Sequence, residues 1–272
     1  MIIGIDASNI RTGGGKNHLE NFIYHSLKYD KNISFVLVSN NQIISSIKED
    51  KRIKFQTNFF LNSFNFMAFI SQILFSYKYF KKNKCDLVFV PGGIFLSKFK
   101  PFFAMSQNML PFDDQALKNF SIYKSFKFRL MKVMQLNCFK KSNGVIFLND
   151  FARVKILKEI DCKINYSIIP HGIKQQKTNY YNFSKKDFKI LYVSDYLPYK
   201  HNYNVVKAIS ELIIEGYNLK LTLIGKEDKT QSNKINKLIH SNILLKDKIE
   251  ILGGTKHHDV LENYKKTSLF LF

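Results

Sequence analysis

The chain has 272 residues, enough for two ordinary domains or one large one, and 45% of them are hydrophobic, so it can bury a real core. Lys plus Arg number 42 against 21 for Asp plus Glu, a formal net charge of +21 that points to an anionic partner: nucleic acid, a membrane surface or a phosphorylated substrate. Cys85, Cys138 and Cys162 lack CxxC spacing, so they support neither a disulfide framework nor a zinc site and read as buried, reduced thiols of a cytosolic protein.

The chain opens on the apolar run "MIIGID", with no charged region and cleavage site of an export signal. A helical pattern over 16–28 follows, then the strand "ISFVLVS" and a helix over 64–82. That helix lies within "FFLNSFNFMAFISQILFSYKYF", which is apolar but carries Asn62, Asn65 and Gln72 inside the length needed to cross a bilayer. Next come "CDLVFVPGG", the run "FFAM", a long helical stretch over 118–141, "GVIFL", a helix over 150–159 and "YSIIP". Continuous apolar strands separated by helices predict a parallel sheet covered on both faces.

From Gly172 to Lys189 the sequence is polar and aperiodic, and the alternation then restarts. "KILYVSD", a helix over 202–215, "LKLTLIG", a helix over 231–241, "KIEILGG", a helix over 257–266 and "SLFLF" form a second, Rossmann-like series. The expected organisation is a first domain over 1–172, a linker over 173–188 and a second domain over 189–272. The second reads as incomplete, because its last strand has no following helix.

In open α/β sheets ligands sit at the carboxyl ends of strands, which directs attention to five loops. Gly13, Gly14 and Gly15 follow the first strand, ahead of a helix expected to begin near Lys16 or Asn17. They are either a tight turn or a cradle in which backbone amides approach an anion at a helix N-terminus. The spacing is neither GxGxxG nor GK[ST]. Lys200 precedes a helix that Asn202 is expected to cap, and is either a solvated charge or an anion partner beside the helix dipole. The loops "SQNMLPFD", "IFLND" and "IIPHGI" also close strands, and His171 in the last is a candidate general base or part of an inter-domain turn.

The ordered set formed by the glycine triplet, "NMLPF", "IFLNDFAR", "IIPHGI", "YVSDYLPYKHN", "LIGKED" and "IEILGG" resembles the retaining GT-B glycosyltransferases of the glycosyltransferase 4 type, over essentially the whole chain. The resemblance implies an α/β fold of two facing Rossmann-like domains, the second incomplete here. It implies transfer of a hexose from a UDP- or GDP-type nucleotide sugar to a lipid-linked surface glycan, as in lipopolysaccharide or capsule synthesis, with retention and without metal or other cofactor. Gly14 and Gly15 would present amides near the donor diphosphate and Lys200 would pair with it. Gly225 would leave room for the nucleotide, and Gly253 and Gly254 would line the base end of its pocket. Gln107, Asn108, Asn149 and His171 would face the acceptor. The chain departs from the family pattern in having Ser194-Asp195 where "GR" is common and Gln107-Asn108 where "HD" is common. The family's paired glutamates, which would follow "SLFLF", are absent from this sequence. The alternative reading is a non-catalytic remnant or interaction module without a complete donor site.

Within 118–141, Phe126, Leu130, Val133 and Met134 share a wheel face expected to pack on the sheet. Lys124, Lys127 and Lys132, with Phe128 among them, are then expected to meet an anionic membrane surface. The expected location is cytoplasmic and peripheral, at the inner face of the plasma membrane. No nucleic-acid-binding motif is present, and nucleic acid is not an expected partner.

Overall fold

The computed structural model describes residues 1–11, 13–64, 66–172, 188–255 and 257–271. The chain divides into two compact units, Met1–Ile173 and Lys174–Phe272. The expected linker lies outside the described residues except for Phe188, which opens the first strand of the second unit.

Unit 1 is built on β1 (Ile2–Asp6), β2 (Ser34–Val38), β3 (Ile53–Gln56), β4 (Leu87–Val90), β5 (Phe102–Ser106), β6 (Gly144–Phe147) and β7 (Tyr166–Ile168). All pair in parallel in the order β3-β2-β1-β4-β5-β6-β7. Successive side chains of a strand point to opposite faces, and the two cores follow that alternation. Phe35 and Leu37 of β2 face α1 (Gly13–Tyr29) and its buried Leu19, Ile23 and Leu27. Val36 and Val38 join the opposite core with Phe80, Cys138, Phe139 and Ile156. Gly4 is needed on that second face, because a Cβ there would lie 2.6 Å from Cδ1 of Phe80.

Strand β3 and the short helix α2 (Asn41–Ile44), which Asn40 caps, were not expected from sequence. The helix expected over 64–82 is a continuous stretch of α3 (Met67–Ser71), a π-helical turn (Gln72–Ser76) and α4 (Tyr77–Lys82). Its inward face is Ala68, Ser71, Gln72, Ser76 and Phe80, mostly small or polar. Gln72 and Ser76 bond the carboxylate of Asp6, fully buried at the end of β1, whereas Ser71 accepts from Asn58. The carboxylate accepts hydrogen bonds from Gln72 Nε2 (3.0 Å), Ser76 Oγ (2.9 Å) and Ser8 Oγ (2.5 Å). Gln72 also donates to Ser8 Oγ and the Ile94 carbonyl and accepts from the Leu96 amide.

The long helical stretch expected over 118–141 is α6 (Ile122–Lys141), preceded by a separate short helix α5 (Asp114–Leu117), and its expected orientation is reversed. Phe126, Leu130 and Val133 are exposed, whereas Gln135, Cys138 and Phe139 are buried. The lysines explain the rotation. Lys132 Nζ bonds Glu159 at 2.5 Å and stands 5.9 Å from the Phe112 ring centroid, and Lys140 pairs with Asp161 at 2.6 Å. Phe128 is half-buried and packs on Phe120. Lys132 and Phe128 therefore do not lie on an open basic side; Lys124 and Lys127 are exposed. The helix α7 (Asp150–Leu157) completes this layer.

Unit 2 contains β8 (Phe188–Val193), α8 (Asn202–Ile214), β9 (Leu219–Ile224), α9 (Lys229–His240), α10 (Ile243–Lys246), β10 (Ile249–Leu252), α11 (His257–Lys265) and β11 (Leu269–Leu271). Its sheet is parallel in the order β10-β9-β8-β11, over a core of Ile190, Tyr192, Val206, Ile209, Leu221, Leu223 and Ile235 among others. Two of the thiols expected to be buried are so, but Cys162 is exposed. Burial pushes the Cys85 thiol up to about 11 and Cys138 to about 12, so neither is a ready thiolate.

Candidate functional site

Each sheet reverses its winding at one strand, and ligand crevices form at such points. In unit 1 the reversal lies between β1 and β4, so the loop leaving β1 stands over it. In unit 2 it lies between β8 and β11, over the loop leaving β8. These loops carry the glycine triplet and Lys200.

The triplet is not a loop ahead of a helix: α1 begins at Gly13, ahead of the Lys16 or Asn17 expected, so the glycines are its first turn. The left-handed φ of 70° falls on Gly13, which therefore supplies the turn into the helix. A Cβ on Gly14 would meet nothing within 4 Å, leaving open space over the first-turn amides, which have no intrahelical acceptor. A Cβ on Gly15 would lie 3.8 Å from Gln107 Oε1.

One turn further, His18 shares this helix face and was missed by sequence reasoning. Its ring centroid lies 4.6 Å from that of His171. Burial, then the neighbouring His171, lowers its pKa from 6.5 to about 4, so the imidazole is neutral at physiological pH. His18 Nε2 is buried and has no hydrogen-bond partner among the described residues. Gly15, His18, Gln107 and His171 therefore form one polar cluster at the carboxyl edge of the sheet. The spacing of His18 from the triplet was the available signal, but a lone histidine in a helix carries little weight.

Asn108 and Asn149 are occupied locally. Asn108 Oδ1 accepts from the Leu110 amide at 3.0 Å, and Asn149 Oδ1 caps α7 by accepting from the Ala152 amide at 2.8 Å. Each still stands at a strand's carboxyl end, but its side-chain oxygen is committed to the backbone.

In unit 2 Lys200 ends a short 3-10 turn, Pro198–Lys200, and is exposed, its Nζ 5.3 Å from the Tyr199 ring centroid. The hydroxyl of Tyr192 holds the turn by donating to the Lys200 carbonyl. Asn202 does not cap α8. The cap position is His201, with a left-handed φ of 58°, and buried Asn202 instead donates to the Ser194 carbonyl at 3.3 Å. That bond pins the N-terminus of α8 to the end of β8.

Gly225 has a packing role beside the one expected. A Cβ there would fall 2.0 Å from the Ser194 carbonyl oxygen, so the glycine lets two strand ends touch. Asp195 braces the same junction by accepting from the Lys226 amide at 2.9 Å. Gly253 faces Glu227, whose Oε1 would lie 3.8 Å from an added Cβ, and Gly254 is open. A groove of about 640 Å³ flanks the Lys200 turn, lined by Pro198, His201, Asn204 and Gln231 among others. A second cavity, lined by Lys189, Lys220 and Lys248, lies at the opposite, amino end of the strands.

Residues 174–272 match the family described as glycosyl transferases group 1. No curated protein matches the chain significantly. Solved structures match it across both units. Sucrose-phosphate synthase from Thermosynechococcus elongatus aligns with a TM-score of 0.73 at 12% identity, over 99% of this chain and 74% of that one. WaaG, a glycosyltransferase involved in lipopolysaccharide biosynthesis, gives 0.66 at 12% identity over 99% and 74%. A mutant of S. aureus TarM in complex with fondaparinux, α-GlcNAc-glycerol and UDP gives 0.64 at 14% identity over 99% and 80%. The chain thus has the mixed α/β, Rossmann-like architecture of GT-B glycosyltransferase structures, and its second unit carries a glycosyl transferases group 1 match.

Proposed function

We propose that the chain takes part in glycosyl transfer, moving a hexose from a UDP- or GDP-type nucleotide sugar to a lipid-linked surface glycan with retention and without metal. The observation that carries this reading is the Lys200 turn at the reversal point of a unit that matches glycosyl transferases group 1. A lysine held beside a helix N-terminus offers positive charge to a diphosphate. As the anomeric centre gains oxocarbenium character, the departing nucleoside diphosphate gathers negative charge, and a preorganised cation binds that state more tightly than the ground state. Open amides over Gly14 offer the same chemistry in unit 1. The neutral His18 ring beside His171, with Gln107, suits the hydroxyls of a sugar acceptor. UDP in the TarM structure supports a nucleotide-sugar partner. We further propose a cytoplasmic location, peripheral to the inner face of the plasma membrane; no helix among the described residues is long and apolar enough to cross it.

The second reading, a non-catalytic module, is favoured by Asp195, a carboxylate at the strand end where a further cation would assist a diphosphate. Titration of UDP and GDP into the full chain, with donor hydrolysis followed in parallel, separates the two. The transferase reading expects nucleotide binding that Lys200→Ala weakens, and in a turning-over enzyme a loss of about 2–4 kcal/mol in kcat/KM. Lys200 is exposed, so the variant keeps its Tm. Unchanged nucleotide affinity in Lys200→Ala removes the lysine from the site. Binding without hydrolysis or transfer favours the module.

A further inference from the structure

Three neighbouring strands of the unit 2 sheet begin with a lysine at the same level. Lys189 of β8 pairs with Lys220 of β9, and the Leu221 amide bonds the Lys248 carbonyl at 2.8 Å, which sets Lys248, at the start of β10, beside Lys220. The next residue along each strand, Ile190, Leu221 and Ile249, belongs to the unit 2 core, so by alternation the three lysines share the opposite face. Their stems rise about 5 Å apart from strand to strand. Like charges side by side on one face of a sheet are destabilising. A position that had only to be soluble would be served by an amide or a hydroxyl.

The row is one wall of the cavity of about 510 Å³ at the amino end of the strands. Lys246, at the end of α10, and Lys266, just past α11, line it too and offset the negative ends of those helices. That role does not extend to the row, whose members stand at strand starts. Two carboxylates share the described lining with these five lysines. Glu250 accepts from Thr222 Oγ1 at 3.4 Å, and Asp247 follows the last residue of α10. Lys248 Nζ donates to Asn218 at 2.7 Å and keeps two further protons. Lys189, Lys220, Lys246 and Lys266 are exposed, so a ligand can reach them.

We propose that this cavity binds a phosphorylated small molecule carrying at least two linked phosphate groups. The row selects that class. A single carboxylate or phosphate meets one or two of the stems, whereas a diphosphate or longer chain spreads its charge along all three and relieves their mutual repulsion. No aromatic ring is among the described lining residues, so the site reads the phosphates and not a base. Every lining residue belongs to unit 2, so a ligand that bridges the strand starts stabilises that unit by mass action. The cavity stands at the end of the sheet opposite the Lys200 turn, and the assignment does not rest on the donor reading.

The test is calorimetric titration of pyrophosphate and of inorganic phosphate into the full chain at about 0.1 M salt. The row variant combines Lys189→Gln, Lys220→Gln and Lys248→Gln. A control combines Lys78→Gln, Lys124→Gln and Lys127→Gln, exposed lysines of unit 1, for the same change in net charge. Far-UV circular dichroism verifies the fold, and if the row variant loses its signal, Lys189→Glu, at an exposed position, is held to the same expectations. Pyrophosphate is expected to saturate a site in the parent at least about tenfold more tightly than phosphate and to raise the Tm. The row variant should lose at least about tenfold in that affinity, while the control and Lys200→Ala keep the site. No saturable binding, no preference over phosphate or a parent-like row variant overturns the assignment. An equal loss in the control overturns it by showing attraction to the basic surface at large, and loss of the site in Lys200→Ala does so by placing the anion at the donor loop. UDP affinity on the same samples keeps the two proposals apart: a pyrophosphate site lost only in the row variant, with UDP affinity unchanged by Lys200→Ala, sinks the donor reading alone.

Discussion

At Gly225 the backbones of two neighbouring strand ends come closer than any side chain permits. The built Cβ lies 2.0 Å from the Ser194 oxygen and 2.5 Å from its carbon, both backbone atoms that cannot rotate away. Gly225→Ala should therefore destabilise unit 2 by about 1–3 kcal/mol, the usual range for overpacking, read as a lower urea midpoint for that unit. A variant as stable as the parent would show that the β8 and β9 ends separate easily, leaving the glycine only a ligand-clearing role. His18 makes a second residue-level test, through pH. Its folded pKa, about 4, lies below the unfolded value of 6.5, so between these values the unfolded chain binds a proton that the folded chain does not. Stability from this group is complete above pH 6.5 and falls as pH drops toward 4. Because the ring is only half-buried, the slope is the prediction: His18→Gln should flatten denaturant stability across that window. An unchanged slope would mean that the ring is solvated.

At the scale of elements, the π-helical turn carries the most consequence. It carries Gln72 and Ser76, one turn apart and both bonded to Asp6, and Gln72 ties the end of β1 to the segment after β4 through Ile94 and Leu96. Gln72→Leu keeps the volume but takes one donor from the buried Asp6 carboxylate and leaves two backbone groups without their partner, so it should cost about 3 kcal/mol in an unfolding titration. A loss below about 1 kcal/mol, on the order of a single hydrogen bond, would show that water replaces the amide. This hub also marks where the sequence was legible and where it was not. Alternation of apolar runs and helices predicted the parallel sheets, and the glycine triplet and Lys200 stand at reversal points as strand ends required. The orientation of 67–82 was hidden, because Asp6, Ser8, Gln72 and Ser76 are distant in sequence and meet only through β1. The orientation of α6 was hidden because its apolar residues surround the helix. The deciding contacts are ion pairs to Glu159 and Asp161, which lie beyond the next strand. Strand β3 was missed because Lys54 and Gln56 interrupt its apolar run.

At the scale of the whole chain, the cores are segregated. Every residue of the two unit 1 cores lies at or before Ile164, and every residue of the unit 2 core at or after Phe188. Among the described residues no strand pairs across the division, since each sheet draws its strands from one unit only. Each core cluster is thus contained within one unit, which is what independent folding requires. Residues 1–172 expressed alone should give one cooperative urea transition, detected identically by far-UV circular dichroism and tyrosine fluorescence. Its midpoint should match a transition seen in the full chain. The exposed face of 67–82 and α6 makes aggregation of the fragment a competing outcome. The measurement is therefore repeated with the Ile73, Leu74, Phe126 and Leu130 to Gln combination, which removes that face without touching either core. A fragment that stays soluble in this form yet lacks a cooperative transition would show that unit 1 depends on unit 2.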